Sequence, residues 1–205
     1  MKEEKKDHIL VVAEKLFSQH GYDGTSTRSI ASEAGVNLAM LNYYFGSKEG
    51  VYKAVLEKRL GDFHQILNSI NEEAISSWEK LERYIDLYVE RVLNNNCFHK
   101  LIQRELSLDQ RSATADLITD AIMKNVAEIK KVICDGIQNG SFREVDVEMT
   151  IASIFGTKYY LVNTSSIASK LFNKDLKDQT VIDEDIKPRL KKFLLDLLNA
   201  HLRKI

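Results

Sequence analysis

Apolar residues at Ile9, Val12, Ala13, Leu16 and Phe17 recur at i, i+3, i+4, i+7 and i+8, the stripe of an amphipathic helix. Gly21 ends it, since glycine accepts the left-handed conformation just past a helix C-terminus. Tyr22 is then placed to pack back on the core. Thr25, Ser26 and Thr27 supply N-cap candidates. They precede a second pattern of Ile30, Ala31 and Ala34, closed by Gly35 after about two turns. Val36 follows as a lone apolar plug, and Asn37 can cap a third helix. In that helix Leu41 and Phe45, four apart, face inward together. Leu38, Ala39, Asn42 and Tyr43 are left pointing largely outward. Gly46 breaks the helix and Ser47 caps a fourth, expected from Lys48 to about Ile70. Its stripe is Val51, Tyr52, Val55, Leu56, Leu60, Phe63 and Leu67.

A helix as short as the third cannot stabilise itself. Its neighbours must hold it, so that its outer face can touch something. That is the arrangement a helix-turn-helix DNA reader requires. A plain three-helix bundle is the competing reading. It accounts poorly for the tight Gly35–Asn37 turn. It also leaves unexplained Asn42 and Tyr43 facing outward, where Lys or Glu would be better helix formers.

Beyond the fourth helix the pattern stays helical. Ser76 or Ser77 opens a helix with Trp78, Leu81, Ile85, Tyr88 and Val92 on one face, ending in Asn94, Asn95 and Asn96. A shorter helix carries Phe98, Leu101, Ile102, Glu105 and Leu106. The next runs from about Thr114 to Gln138, with Ile118, Ile122, Val126, Ile129 and Ile133 in register, and Asn139-Gly140 stops it. Asp146 caps a long helix containing Thr150, Ile151, Ile154, Phe155, Tyr159 and Val162. A polar connector from about Asn173 to Asp185 leads to a final helix with Pro188 in its first turn. Its stripe is Leu190, Phe193, Leu194, Leu197, Leu198 and Leu202. The expected fold is all-α, with about nine helices in total. A helix-turn-helix domain over residues 1–47 precedes a larger helical domain over 48–205.

Composition narrows the function. The 205 residues are 44% hydrophobic and 29% charged, with one proline and nine glycines, which favours long helices over a turn-rich sheet protein. The start, MKEEKKDH, has no apolar core of a secretory signal, and no apolar run reaches the length of a membrane span. A cytoplasmic protein without membrane contact is expected. Cys97 and Cys134 are too few for a disulfide framework or a zinc site and read as buried structural thiols. The five histidines are scattered, and no hydrolase, phosphate-loop or metalloprotease motif is present, so no enzyme activity, metal or other cofactor is expected. Net charge is −1 overall. The first 50 residues carry six Lys and Arg against seven Asp and Glu, again −1. Charge-driven coating of DNA is therefore disfavoured. Specific binding is not, because hydroxyls, backbone N–H groups and helix N-termini can hold phosphates.

The elements A-x-x-L-F (Ala13, Leu16, Phe17), G-Y (Gly21, Tyr22), T-S-T-R-x-I-A (Thr25 to Ala31), A-G-V (Ala34 to Val36), L-x-Y-Y-F (Leu41 to Phe45) and K-E (Lys48, Glu49) occur in this order. In this the chain resembles the TetR family of bacterial transcriptional regulators over about its first quarter. The later layout, with G-x-F-R-x-V-D at Gly140 to Asp146, is similar in architecture. The resemblance makes residues 1–47 a DNA-binding domain and assigns the helical domain over 48–205 a regulatory role. One departure is Asn42, where many members carry an aromatic residue. Position 42 then either reads a base edge or contacts a phosphate, and an Asn amide can pair with adenine.

The resemblance implies a homodimeric, ligand-released repressor on a palindromic double-stranded operator. Leu38, Ala39, Asn42 and Tyr43 would enter the major groove. Ser26, Thr27, Arg28, Asn37, Tyr44 and Lys48 would hold the backbone. The resemblance also implies an inducer pocket for an unknown small molecule, with Phe63, Tyr84, Tyr88, Phe98, Ile102, Glu105, Phe155, Tyr159 and Asn163 as candidate lining. Each of these is equally an ordinary core position, and Glu105 has a plain reading as an ion-pair partner of Arg104 or of another helix. The last two long helices would pair with a second copy through Ala152, Gly156, Leu190, Phe193, Leu194 and Leu197. The alternatives are a helical protein- or ligand-binding module without specific DNA recognition, and an activator on the same fold.

Overall fold

The computed structural model describes residues 2–94, 96–107 and 113–204. They form helices and turns, with no strand among them. The helices are α1 (Lys2–His20), α2 (Thr27–Glu33), α3 (Leu38–Phe45), α4 (Lys48–Glu72), α5 (Ser77–Asn94), α6 (Asn96–Ser107), α7 (Ala113–Gln138), α8 (Val147–Asn163), α9 (Ser165–Phe172), α10 (Gln179–Val181) and α11 (Lys187–Leu202). A π-helical turn, Ile182–Ile186, joins the last two.

The chain divides into two compact units, Met1–Phe63 with Cys97–Ile122, and His64–Asn96 with Met123–Ile205. The division does not follow the 47/48 boundary. Most of α4 belongs with the N-terminal helices, because Val51, Tyr52, Val55, Leu56 and Leu60 are buried in their core. Phe98, Leu101 and Ile102 of α6 and Ile118 of α7 enter the same core, around Ile9, Ala13, Phe17, Ile30 and Leu41.

In the second unit α5 buries Leu81, Tyr84, Ile85, Tyr88, Val89 and Val92, and α11 packs on it through Leu190, Leu194, Leu198 and Leu202. A capping box starts α5: Glu79 N–H donates to Ser76 Oγ at 3.2 Å, and Ser76 N–H donates to Glu79 Oε2 at 2.9 Å. The buried ammonium of Lys187 joins α5 to the π-turn. It reaches Glu90 Oε2 at 2.9 Å, Asp183 Oδ1 at 2.6 Å and the Asn94 side-chain oxygen. Asp146 caps α8 as expected, accepting from Met149 N–H at 2.9 Å.

The connector differs from the sequence expectation. α8 ends at Asn163, and α9 follows after Thr164. The polar segment after it buries Leu176, Ile182 and Ile186. Helical structure resumes at Gln179 and continues through the π-turn; Pro188 stands in the first turn of α11, as expected, but that helix follows the π-turn without a break. Proline has no N–H and its ring crowds the carbonyl four residues back, here Glu184. The π-turn over that carbonyl is the local loosening such a conflict produces. Two smaller differences concern exposure. Leu106 is 37% exposed, and Cys134 is half-buried. The side chains of Cys97 and Arg104 lie outside the described residues.

Candidate nucleic-acid interface

The helix-turn-helix is built by backbone bonds that its residue types prescribe. Ser26 caps α2, its Oγ accepting from Ser29 N–H at 3.0 Å. Ser26 N–H in turn donates to Ser29 Oγ at 3.0 Å, completing a capping box in which serine takes the usual Glu or Gln position. Thr25 is buried and does a different job, its hydroxyl donating to Gly21 O at 2.8 Å. At the other end of α2, Gly35 N–H donates to Ser32 O at 3.2 Å and Val36 N–H donates to Ala31 O at 2.9 Å. That pair is a Schellman motif, and Gly35 supplies its left-handed residue with φ +64°. Asn37 then caps α3, its Oδ1 accepting from Met40 N–H at 2.7 Å. Gly46, with φ +74°, ends α3. Ser47 Oγ accepts from Gly50 N–H at 3.1 Å at the start of α4.

Leu41 is fully buried and Phe45 packs partly buried against the same core. They hold α3 by its inner face. On the outer face Ala39 and Asn42 are exposed, and Tyr43 is 72% exposed. Leu38 is half-buried, so it presents only part of its side chain. Tyr44 is half-buried with its ring edge-on to Tyr43 at 5.5 Å. Arg28 is exposed on α2 and Thr27 half-buried at its first turn. The Lys48 ammonium stands 4.2 Å from the centroid of the Tyr22 ring. Tyr22 packs back on Phe17 and Tyr52, as its place after Gly21 predicts. Burial, then the charges of Glu49, Asp23 and Glu105, raise the pKa of its hydroxyl, so the phenol stays neutral at working pH. Sequence reasoning missed Ser29 as the reciprocal cap. An S-x-x-S spacing after a threonine was its only signal.

The nine candidate pocket residues divide between the two units. Phe63, Phe98, Ile102 and Glu105 belong to the first unit; Tyr84, Tyr88, Phe155, Tyr159 and Asn163 belong to the second. Phe98 and Ile102 are core, buried among the N-terminal helices. Tyr84 is core too, its hydroxyl donating to Leu67 O at 2.8 Å, with burial pushing its pKa up well above the usual 10. Tyr159 is 49% exposed. It stands one residue past the half-buried Lys158, about 100° round the helix from it, and so turns outward. Asn163 donates to Tyr159 O within α8 at 3.1 Å.

Tyr88 and Phe155 do meet, with ring centroids 5.6 Å apart. The Tyr88 hydroxyl is buried with no hydrogen-bond partner among the described residues, and so is Oδ1 of Asn125 on α7. Three residues after Phe155, and so on the same face of α8, Lys158 has its pKa lowered by burial to about 8. Sequence reasoning passed over Asn125 and Lys158, since a single polar residue among apolar ones carries no periodic signal.

α8 and α11 expose apolar side chains in this unit, with Arg189, Lys192 and Asp196 exposed beside them on α11. Ala152 and Gly156 are exposed, with open space around Gly156. Phe193 is 52% and Leu197 38% exposed. A groove of 640 Å³ beside them is lined by Tyr160, Leu171, Phe172, Leu190 and Phe193, with Arg189, Lys192 and Asp196 among its polar residues. Leu194, expected at the same surface, is fully buried against its own unit, and Leu190 is buried at the groove floor. The final stripe is too broad for one partner, and its inner half is already used.

A short capped helix, held by its apolar side and presenting an amide, a methyl and a phenol outward, defines a helix-turn-helix DNA-binding transcription regulator. Residues 9–55 match the model for bacterial regulatory proteins of the tetR family. Residues 78–187, more than half of the chain, match that for the tetracyclin repressor-like C-terminal domain. The chain belongs to the TetR family. Its relatives include the HTH-type transcriptional regulator RutR of Escherichia coli K12, 26% identical over 201 residues, covering 90% of this chain and 92% of that one. The fatty acid metabolism regulator protein of Bacillus subtilis 168 is 25% identical over 162 residues, 77% and 82% of the two chains.

Among solved structures, a TetR transcription regulator from Haloarcula marismortui superposes with TM-score 0.73 at 18% identity, covering 98% and 100% of the chains. The transcriptional regulator FadR from Bacillus subtilis, in complex with stearoyl-CoA, gives 0.69 at 22%, covering 92% and 96%. Among the described residues no cluster of His, Cys, Asp and Glu could hold a metal, and no helix is long and apolar enough to cross a membrane.

Proposed function

We propose that this protein is a cytoplasmic, homodimeric repressor that binds a palindromic operator and is released by a small molecule. The observation that carries the reading is the outer face of α3, where Ala39, Asn42 and Tyr43 stand exposed from a helix fixed at both ends and from behind. Asn42 reads a base edge, its amide suited to adenine, while Ala39 and the exposed part of Leu38 touch a thymine methyl. Tyr43 enters the groove beside them. Ser26, Thr27, Arg28, Asn37, Tyr44 and Lys48 hold phosphates and fix register. For Asn37 the contact comes from its amide N–H groups, since Oδ1 caps α3.

Two copies join through the exposed apolar face of α8 and α11, with Ala152, Gly156, Phe193 and Leu197 at its centre. A two-fold dimer presents two α3 helices to half-sites one helical turn or a multiple apart. The ligand site in the second unit includes Tyr88 and Phe155, with Asn125 and Lys158 as its polar groups. The buried unpartnered oxygens of Tyr88 and Asn125 support that placement, because such atoms are costly unless something satisfies them. Release follows from unequal ligand affinity for DNA-bound and free forms. The change passes along α4, whose residues belong to both units.

Incubating the protein with sheared DNA of its source genome at moderate salt and sequencing what it retains tests this reading. Enrichment of one palindromic site is expected. Retention without sequence preference by a folded protein would favour a helical binding module.

A further inference from the structure

Tyr22 lies outside α2 and α3, in the turn after α1, yet it carries a cation of the proposed interface. The Lys48 ammonium is 4.2 Å from its ring centroid, within the range of a cation–π attraction. The ring is itself fixed. Phe17 stacks on it at 6.0 Å with 14° between planes, and Tyr52 meets it edge-on at 5.0 Å. Phe17 and Tyr52 touch edge-on at 4.9 Å, and both are buried. The triad thus joins α1 and α4 and ends at the surface under Lys48. A lysine on a flexible four-carbon stem loses rotamer entropy when it settles on a phosphate. A ring under the ammonium restricts that stem beforehand.

We propose that Tyr22 is a positioning residue for DNA binding: its ring, braced by Phe17 and Tyr52, sets where the Lys48 ammonium meets the DNA backbone. The proposal rests on the reading of Lys48 as a phosphate contact.

The free protein gives the first test. By NMR the Lys48 side-chain methylene protons should be shifted upfield by the ring in the wild type and in Tyr22→Phe, and return to ordinary positions in Tyr22→Leu. Unshifted protons in the wild type would overturn the proposal whatever the variants do. The second test uses a duplex selected by the wild-type protein from random-sequence DNA. Lys48→Ala should weaken binding and lower the log–log salt slope by about 0.9. Tyr22→Leu should weaken binding by about two- to fivefold and lower the slope in the same direction. Tyr22→Phe should match the wild type, and Tyr22→Leu with Lys48→Ala should bind no worse than Lys48→Ala alone.

If Lys48→Ala acts as expected while Tyr22→Leu leaves the slope unchanged, or if the two effects multiply, Tyr22 is a packing residue and the proposal falls with Lys48 intact. A slope unaltered by Lys48→Ala overturns the Lys48 reading, and the role of Tyr22 with it.

Discussion

The two units turn opposite kinds of surface outward. Around α3 the open face is an amide, a methyl, a phenol and hydroxyls, several of them already committed to caps. Around α8 and α11 it is Gly156, Tyr159, Tyr160, Phe193 and Leu197, with Ile167 and Leu171 on α9, 59% and 67% exposed. A polar face with fixed donors suits a hydrated polyanion whose grooves differ in hydrogen-bonding pattern. An apolar face suits another protein surface, which is why the second copy is proposed to sit there. The contrast also separates how each is maintained. The first is held by the buried Leu41 behind it and by hydrogen bonds in tight turns at its ends, the second by broad burial of the opposite helix faces.

Removing the support behind each surface should give the largest effects. Leu41→Ala takes the fully buried anchor from α3 and should cost about 2–5 kcal/mol of stability in the first unit, read by urea unfolding. DNA binding should be lost with it. A loss below about 1 kcal/mol would mean that α3 is held elsewhere. On the apolar face, Phe193→Glu should weaken self-association by at least about tenfold in sedimentation velocity while leaving the helical content intact. An unchanged dimer would put the second copy on a different surface.

Lys158 offers a sharper contrast through pH. Its folded pKa of about 8 lies below the ordinary 10.5. Below about pH 8 folded and unfolded chains both hold the proton, and the folded state bears the full cost of a buried ammonium. Between about pH 8 and pH 10.5 the unfolded chain binds more protons, so stability of the second unit should rise with pH. Lys158→Met should flatten that rise. An identical slope in the variant would place the ammonium in water. The smallest effect belongs to the cap. Ser26→Ala should cost about 1 kcal/mol, and Ser29→Ala should lower stability in the same direction by removing the reciprocal bond.

The same contrast explains what could be read from the sequence. In the first unit Gly21, Ser26, Gly35, Asn37, Gly46 and Ser47 each carry local chemistry with one structural meaning, and each performs it. The fourth to eighth helices follow from apolar period together with caps and stops such as Ser47, Asn139-Gly140 and Asp146, to within a few residues at their ends. Sequence reasoning fails where tertiary packing decides. Tyr159 and Tyr84 look alike as aromatics at helical spacing, yet one turns outward and the other bonds Leu67 O in the core. Leu194 and Phe193 are neighbours on one stripe, and only the inner one is covered by α5. The break at Thr164, α9 and the π-turn before Pro188 leave no periodic trace. Asn125 is buried and Lys158 half-buried, and a lone polar residue among apolar ones leaves no periodic trace.

The claim that α3 reads bases while its surroundings hold phosphates is tested most directly by comparing binding-site selections from random-sequence DNA for the wild type and Asn42→Ala. The wild type should recover a palindrome with two half-sites. Asn42→Ala should keep that palindrome but lose preference at one position per half-site, with about 1–3 kcal/mol less discrimination there. A variant that keeps every base preference and merely binds all sequences more weakly would contradict the account, and would make Asn42 a backbone contact.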